Sequence, residues 1–126
     1  MTSEDWFTAF VRMAFLALKR GVLYERDKFL VLIAVHAVVL DRWNVAEACC
    51  TTILEHNSGH MIGKYESLRA ALKDEDWKTY VRRLQREWPL EKLETVLDHP
   101  QVQNYGLADL DVEILLADLI GNQKDD

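Results

Sequence analysis

The sequence predicts an all-α domain of six or seven short helices, arranged as stacked antiparallel hairpins or as a compact helix bundle. Three observations lead there. Apolar residues recur three and four positions apart along most of the chain, the period of one helix face. The periodic stretches end at residues that stop helices, among them Gly21, Gly59, Pro100 and Gly121. No stretch alternates as a half-buried strand does.

In the first helix Ser3 reads as the cap, with Glu4 and Asp5 in the first turn and Lys19 and Arg20 in the last, each sign matching the helix dipole. Its apolar residues form two lines, Trp6, Phe10, Met13 and Ala17 on one and Phe7, Val11 and Leu18 on the other, so it should touch neighbours on two sides. A second helix, residues 27–40, is apolar nearly all round and should sit centrally. After Asp41-Arg42-Trp43-Asn44, a third helix carries Val45, Cys49, Ile53 and His56 on one stripe and Ala46, Cys50 and Ile53 on another. It stops at Asn57-Ser58-Gly59.

Met61, Tyr65, Leu68 and Leu72 predict a fourth helix, which Gly63 weakens by about 1 kcal/mol relative to alanine. Asp74-Glu75-Asp76 opens a fifth, with Trp77, Val81, Leu84 and Trp88 inward and Lys78, Arg82 and Arg86 on a solvated line. Pro89 suits the first position of a sixth, which carries Leu90, Leu93, Val96 and Leu97 before His99-Pro100 stops it. Residues 101–106 read as an extended linker, because proline blocks helix continuation. A last amphipathic helix then carries Val112, Leu115, Leu116 and Leu119 up to Gly121, and residues 122–126 read as a frayed tail. All 126 residues fit one domain.

Composition narrows the function. A net charge of -6 disfavours nucleic acid, whose non-specific affinity comes from clustered lysine and arginine. The longest apolar run, residues 29–40, falls short of the roughly 20 residues a membrane span needs. An acidic N-terminus does not look like a signal peptide, and the two cysteines, Cys49 and Cys50, are adjacent and poorly placed for a disulfide. A reducing cytoplasmic setting is the expectation.

Residues 27–59 resemble one repeat of the tetratricopeptide family. Leu30, Ile33, Ala34 and Ala37 fall at its first-helix positions, and Trp43, Ala46, Cys50 and Ile53 at its second, with Ser58 where the family keeps proline. The resemblance implies stacked helical hairpins and partner binding rather than catalysis. In such repeats the first helix faces a ligand groove, yet here that face would carry Val31, Val35, Val38 and Val39, so the first and last helices are expected to cover it.

Three groups of residues carry possible chemistry. Glu55, His56 and His60 are ligand types that suit zinc, but the break at residues 57–59 removes the shared helix face, and His56 reads more simply as a last-turn cation. Cys49 and Cys50 lack a basic neighbour one turn away, Cys50 falls on the core stripe, and His36 reads as a core histidine. Lys78, Arg82, Arg83 and Arg86 form a basic line that suits an acidic protein partner. Asp109, Asp111, Glu113 and Asp118 give the last helix an acidic face that could meet that line within the chain or in a neighbour. The expectation is therefore a non-enzymatic protein-binding or scaffolding domain without a cofactor, whose partner is another protein or a second copy. The rivals are a small metal- or thiol-dependent enzyme built on His36, Cys50, His56 and His60, and a self-associating structural protein.

Overall fold

A computed structural model describes residues 1–121, and the tail expected at 122–126 lies outside the described residues. The described residues form eight α-helices: α1 (Ser3–Lys19), α2 (Leu23–Val39), α3 (Trp43–His56), α4 (Leu68–Ala71), α5 (Glu75–Glu87), α6 (Leu90–Leu97), α7 (Pro100–Gln103) and α8 (Val112–Ile120). Two 3₁₀ turns, Met61–Lys64 and Leu107–Asp109, complete the helical structure, and the all-α class expected from periodicity holds. No helix among the described residues is long and apolar enough to cross a membrane.

Four of these helices make a bundle. α1 packs on α2, α2 on α3, and α8 lies against α1 and α3, closing the ring from the far end of the chain. The core between them holds Phe7, Phe10, Val11, Leu30, Ile33, Val45, Ile53 and Leu115, all buried. Small residues let the backbones approach, with Ala14, Ala34, Ala37 and Ala46 buried. α5 packs on α2 and α6 on α1, outside the ring. The central helix is thus α2, as its all-round apolarity predicts.

The valine face does not close as expected. α8 makes its main contacts with α1 and α3, so Val31 is buried, Val35 and Val38 are partly covered and Val39 stays 66% exposed. The four valines lie within about 100° of one another around the helix, but Val39 stands at the edge of that stripe and at the last residue of α2, where nothing covers it fully.

The two turns that build the bundle are alike. After α1, Val22 N–H donates to Ala17 O (2.9 Å) across Gly21, whose φ is +73°. Twenty residues later Arg42 N–H donates to Ala37 O (2.7 Å) across Asp41, whose φ is +59°. Both end a helix with one left-handed residue and a bond back across six residues. Asp41 holds a conformation that disfavours a Cβ. Asp41→Gly is expected to stabilise the protein by about 0.5–1 kcal/mol, read as a higher denaturant midpoint at unchanged slope.

Several boundaries differ from expectation for local reasons. Thr2, not Ser3, caps α1: Asp5 N–H donates to Thr2 Oγ1 (3.1 Å) while Thr2 N–H donates to Asp5 Oδ2 (3.0 Å), a capping box. α2 begins four residues before Asp27, because the turn at Gly21 delivers the chain directly into it. The fourth helix splits in two. His60 Nδ1 accepts from Ile62 N–H (3.1 Å) at the 3₁₀ turn, Tyr65 is extended, and Ser67 caps α4 by accepting from Ala70 N–H (3.1 Å). Pro89 stands just ahead of α6 rather than inside it.

The linker is not extended. Pro100 starts α7 instead of blocking a helix, because the first turn has no use for the missing N–H, and His99 Nδ1 accepts from Gln101 N–H (3.2 Å). Buried Val102 and Leu107 pin the segment on either side of Gly106, whose φ is +67°. Asp111 then caps α8, its Oδ1 accepting from Glu113 N–H (2.7 Å).

Candidate functional site

The α5 helix separates its two faces sharply. Trp77 and Leu84 are buried, Val81 and Trp88 half-buried, while Lys78, Arg82, Arg83 and Arg86 are exposed. The faces fall where the 3.6-residue period predicts them. Asp74 does not reach Lys78 as the four-residue spacing suggests, since its Oδ1 accepts from Asp76 N–H (2.7 Å) as the helix cap. Glu75 takes that role, with Oε1 3.4 Å from Lys78 Nζ and Oε2 3.8 Å from Arg82 Nη2.

One carboxylate therefore serves two cations. Arg83 lies over the Tyr80 ring at 5.4 Å, and Arg86 has no ion-pair partner among the described residues. The half-turn toward Trp88 thus keeps an excess of positive charge within a chain of net charge -6. α8 does not neutralise it. Its Glu113 pairs with Arg42 instead, Oε1 to Nη2 at 2.8 Å, and the same guanidinium lies over Phe7 at 5.2 Å. Asp109, Asp111 and Asp118 are exposed.

Glu55, His56 and His60 are not one cluster. Glu55 is exposed, His60 spends Nδ1 capping the 3₁₀ turn and places Nε2 3.5 Å from the Tyr80 hydroxyl, and His56 turns toward α2. The described residues bring together no group of three histidines, cysteines or carboxylates that could hold a metal.

His56 is more than a last-turn cation. Its Nδ1 lies 2.6 Å from Oδ2 of Asp27, which is 3% exposed, and Oδ1 of the same carboxylate accepts from Arg26 Nη2 at 3.0 Å. Tyr24 meets the imidazole edge-on at 5.0 Å. This buried Arg26–Asp27–His56 chain ties the start of α2 to the end of α3, and the spacing of residues gave no sign of it. The available signal was composition: Arg26 and Asp27 border an otherwise apolar helix, and burying such a pair requires a third partner.

The thiols sit elsewhere. Cys49 is buried with Val45 and Ile53, the first of the two stripes read from the sequence, whereas Cys50, expected on the core stripe, is only half-buried. Burial and the Glu47 carboxylate push the Cys50 thiol up to about 11, and burial drives Cys49 further up still. Neither is activated as a nucleophile.

His36 lies beside both Trp6 (6.3 Å) and Phe10 (5.8 Å), whose rings are 5.7 Å from each other, and its buried Nδ1 has no hydrogen-bond partner. Burial holds it below the ordinary value of 6.5. The native state therefore binds fewer protons than the unfolded chain, and stability falls as pH drops through 6.5 toward the folded value. His60 is lowered for the same main reason, partly offset by Asp27. His36→Phe is expected to keep the stack and flatten the loss of stability between about pH 7 and 5, followed by denaturant midpoints.

An apolar crevice of about 210 Å³ opens where α1, α2 and α6 meet the end of α5. Met13, Leu16 and Phe29 form its floor, Trp88 and Val96 its walls, and Arg20, Val22 and Glu25 its rim. A wider polar groove of about 680 Å³ runs between α3 and the end of α8, along Glu47, Thr51 and Glu55. Compared with known protein families, curated proteins and solved structures, the chain matches none.

Proposed function

We propose that this chain is a non-enzymatic protein-binding domain that docks an acidic partner on the outward face of α5. The observation that carries the reading is the excess of exposed arginine at Arg82, Arg83 and Arg86 on a rigid amphipathic helix, in a chain that is otherwise acidic. Arginine suits this work because its planar fork binds carboxylates through two parallel hydrogen bonds. The net negative charge turns away nucleic acid and steers an acidic partner to one place.

The test is a charge reversal that spares the fold. Arg82→Glu, Arg83→Glu and Arg86→Glu together alter only exposed positions, where single changes shift stability by no more than about 0.5 kcal/mol. Thermal unfolding should therefore change little. Quantitative capture from host lysate should lose a set of acidic proteins that the unaltered chain retains. Identical capture by both proteins overturns the reading.

A further inference from the structure

The crevice beside Trp88 lies at the end of α5, on the side that faces α1 and α2. Arg82 and Arg86 project from the outward face of α5 while Trp88, which caps its end, turns inward, so a peptide joining them passes over the end of the helix, about 9 Å along the axis from Arg82 and further around it. At about 210 Å³ the crevice is smaller than the roughly 300–1,000 Å³ of drug-sized ligand sites, and suits one large side chain. Its charged rim is Arg20 and Glu25, with Lys92 Nζ 4.1 Å from the centre of the Trp88 ring. Lys28 and Glu87 hold each other at 4.0 Å. The balance of the remaining groups is positive.

Val22 sharpens the case. It is 44% exposed on the rim, at the position that Arg42 fills in the matching turn after α2, so the turn does not require an apolar residue there. We propose that the acidic partner is a peptide segment bearing one bulky apolar side chain, which enters the crevice between Val22, Trp88 and Val96 while its carboxylates pair with Arg82 and Arg86. This rests on the reading of α5 as the docking face. The anchor supplies a desolvated centre and the arginines a charged rim, the arrangement in which a few residues dominate binding.

The probe is a fluorescein-labelled nonapeptide of aspartate and glutamate with one central phenylalanine, compared with its central-alanine twin by anisotropy on the full chain. The phenylalanine peptide should bind at least about tenfold more tightly. Val22→Trp, at an exposed rim position, and Val96→Trp, at the wall, should each abolish that preference while leaving the alanine peptide's affinity in place, with circular dichroism confirming the fold. Arg82→Glu with Arg86→Glu should weaken both peptides alike and keep their ratio. Equal binding of the two peptides overturns the anchor and leaves the acidic-partner reading standing. Failure of both peptides to bind overturns the two together, and equal binding of a peptide with glutamine in place of the acids overturns the charge component.

Discussion

Deletion of residues 107–126 is expected to cost most or all of the protein's stability. The deleted segment contributes Leu107, Leu115, Leu116 and Leu119 to the core, each at most 5% exposed. At about 1.5–3 kcal/mol per buried leucine, their loss amounts to roughly 6–12 kcal/mol. A domain of this size has about 5–15 kcal/mol in all. The deletion also uncovers the faces of α1 and α3 on which α8 lies. The truncated chain should unfold at much lower denaturant, bind a dye specific for exposed apolar surface, and associate in light scattering. A truncated protein that stays monomeric, dye-silent and as stable as the whole chain would show that α8 is not part of the core.

Asp27→Ala is expected to destabilise by about 3–5 kcal/mol, far more than an ordinary polar truncation. The carboxylate faces two partners, so its removal leaves the Arg26 guanidinium, 8% exposed and with Nε already unpartnered, as an uncompensated buried cation. The His56 imidazole loses its bond at the same moment. Replacing Arg26 with methionine together with Asp27→Leu should recover most of the loss, because apolar groups of similar volume need no partner. Chemical denaturation of the single and double variants separates a charge effect from a packing effect. If the double variant were as unstable as Asp27→Ala, the cluster would be stabilising through shape and not through paired charge.

The helices that bury one stripe were legible because burial imposes a 3.6-residue period on sequence. α5 shows this best: Trp77 and Leu84 lie inward and Arg82 and Arg86 outward, as spacing alone places them. The stretch after α3 was less legible, since four apolar residues at helical spacing cannot reveal that His60 and Ser67 will each cap a separate short turn. Proline both breaks and starts helices, and at Pro100 the local sequence does not say which habit applies; the chain uses it as a start. Of the candidate site, the cationic ridge could be read directly. The crevice could not, because α1, α2, α5 and α6 meet there and no local pattern reports a meeting of four elements. The Asp27–His56 pair, 29 residues apart, is hidden for the same reason.

The order of the bundle has a consequence for how this chain can change. Three of its helices come first, α8 comes near the end, and residues 57–111 form one excursion between them that carries α4 to α7. To polymer statistics that excursion is a loop, and doubling a flexible loop adds only about 0.6 kcal/mol to the cost of closing it. Insertions in the exposed connections of that excursion are cheap by this measure, whereas its helices are held in place by Leu68, Ala71, Trp77, Leu84, Leu93 and Val102, all buried in the common core. The room for change therefore lies in the turns between these helices and at the outward positions of α5, while the inward residues that seat the helix are tied to the bundle.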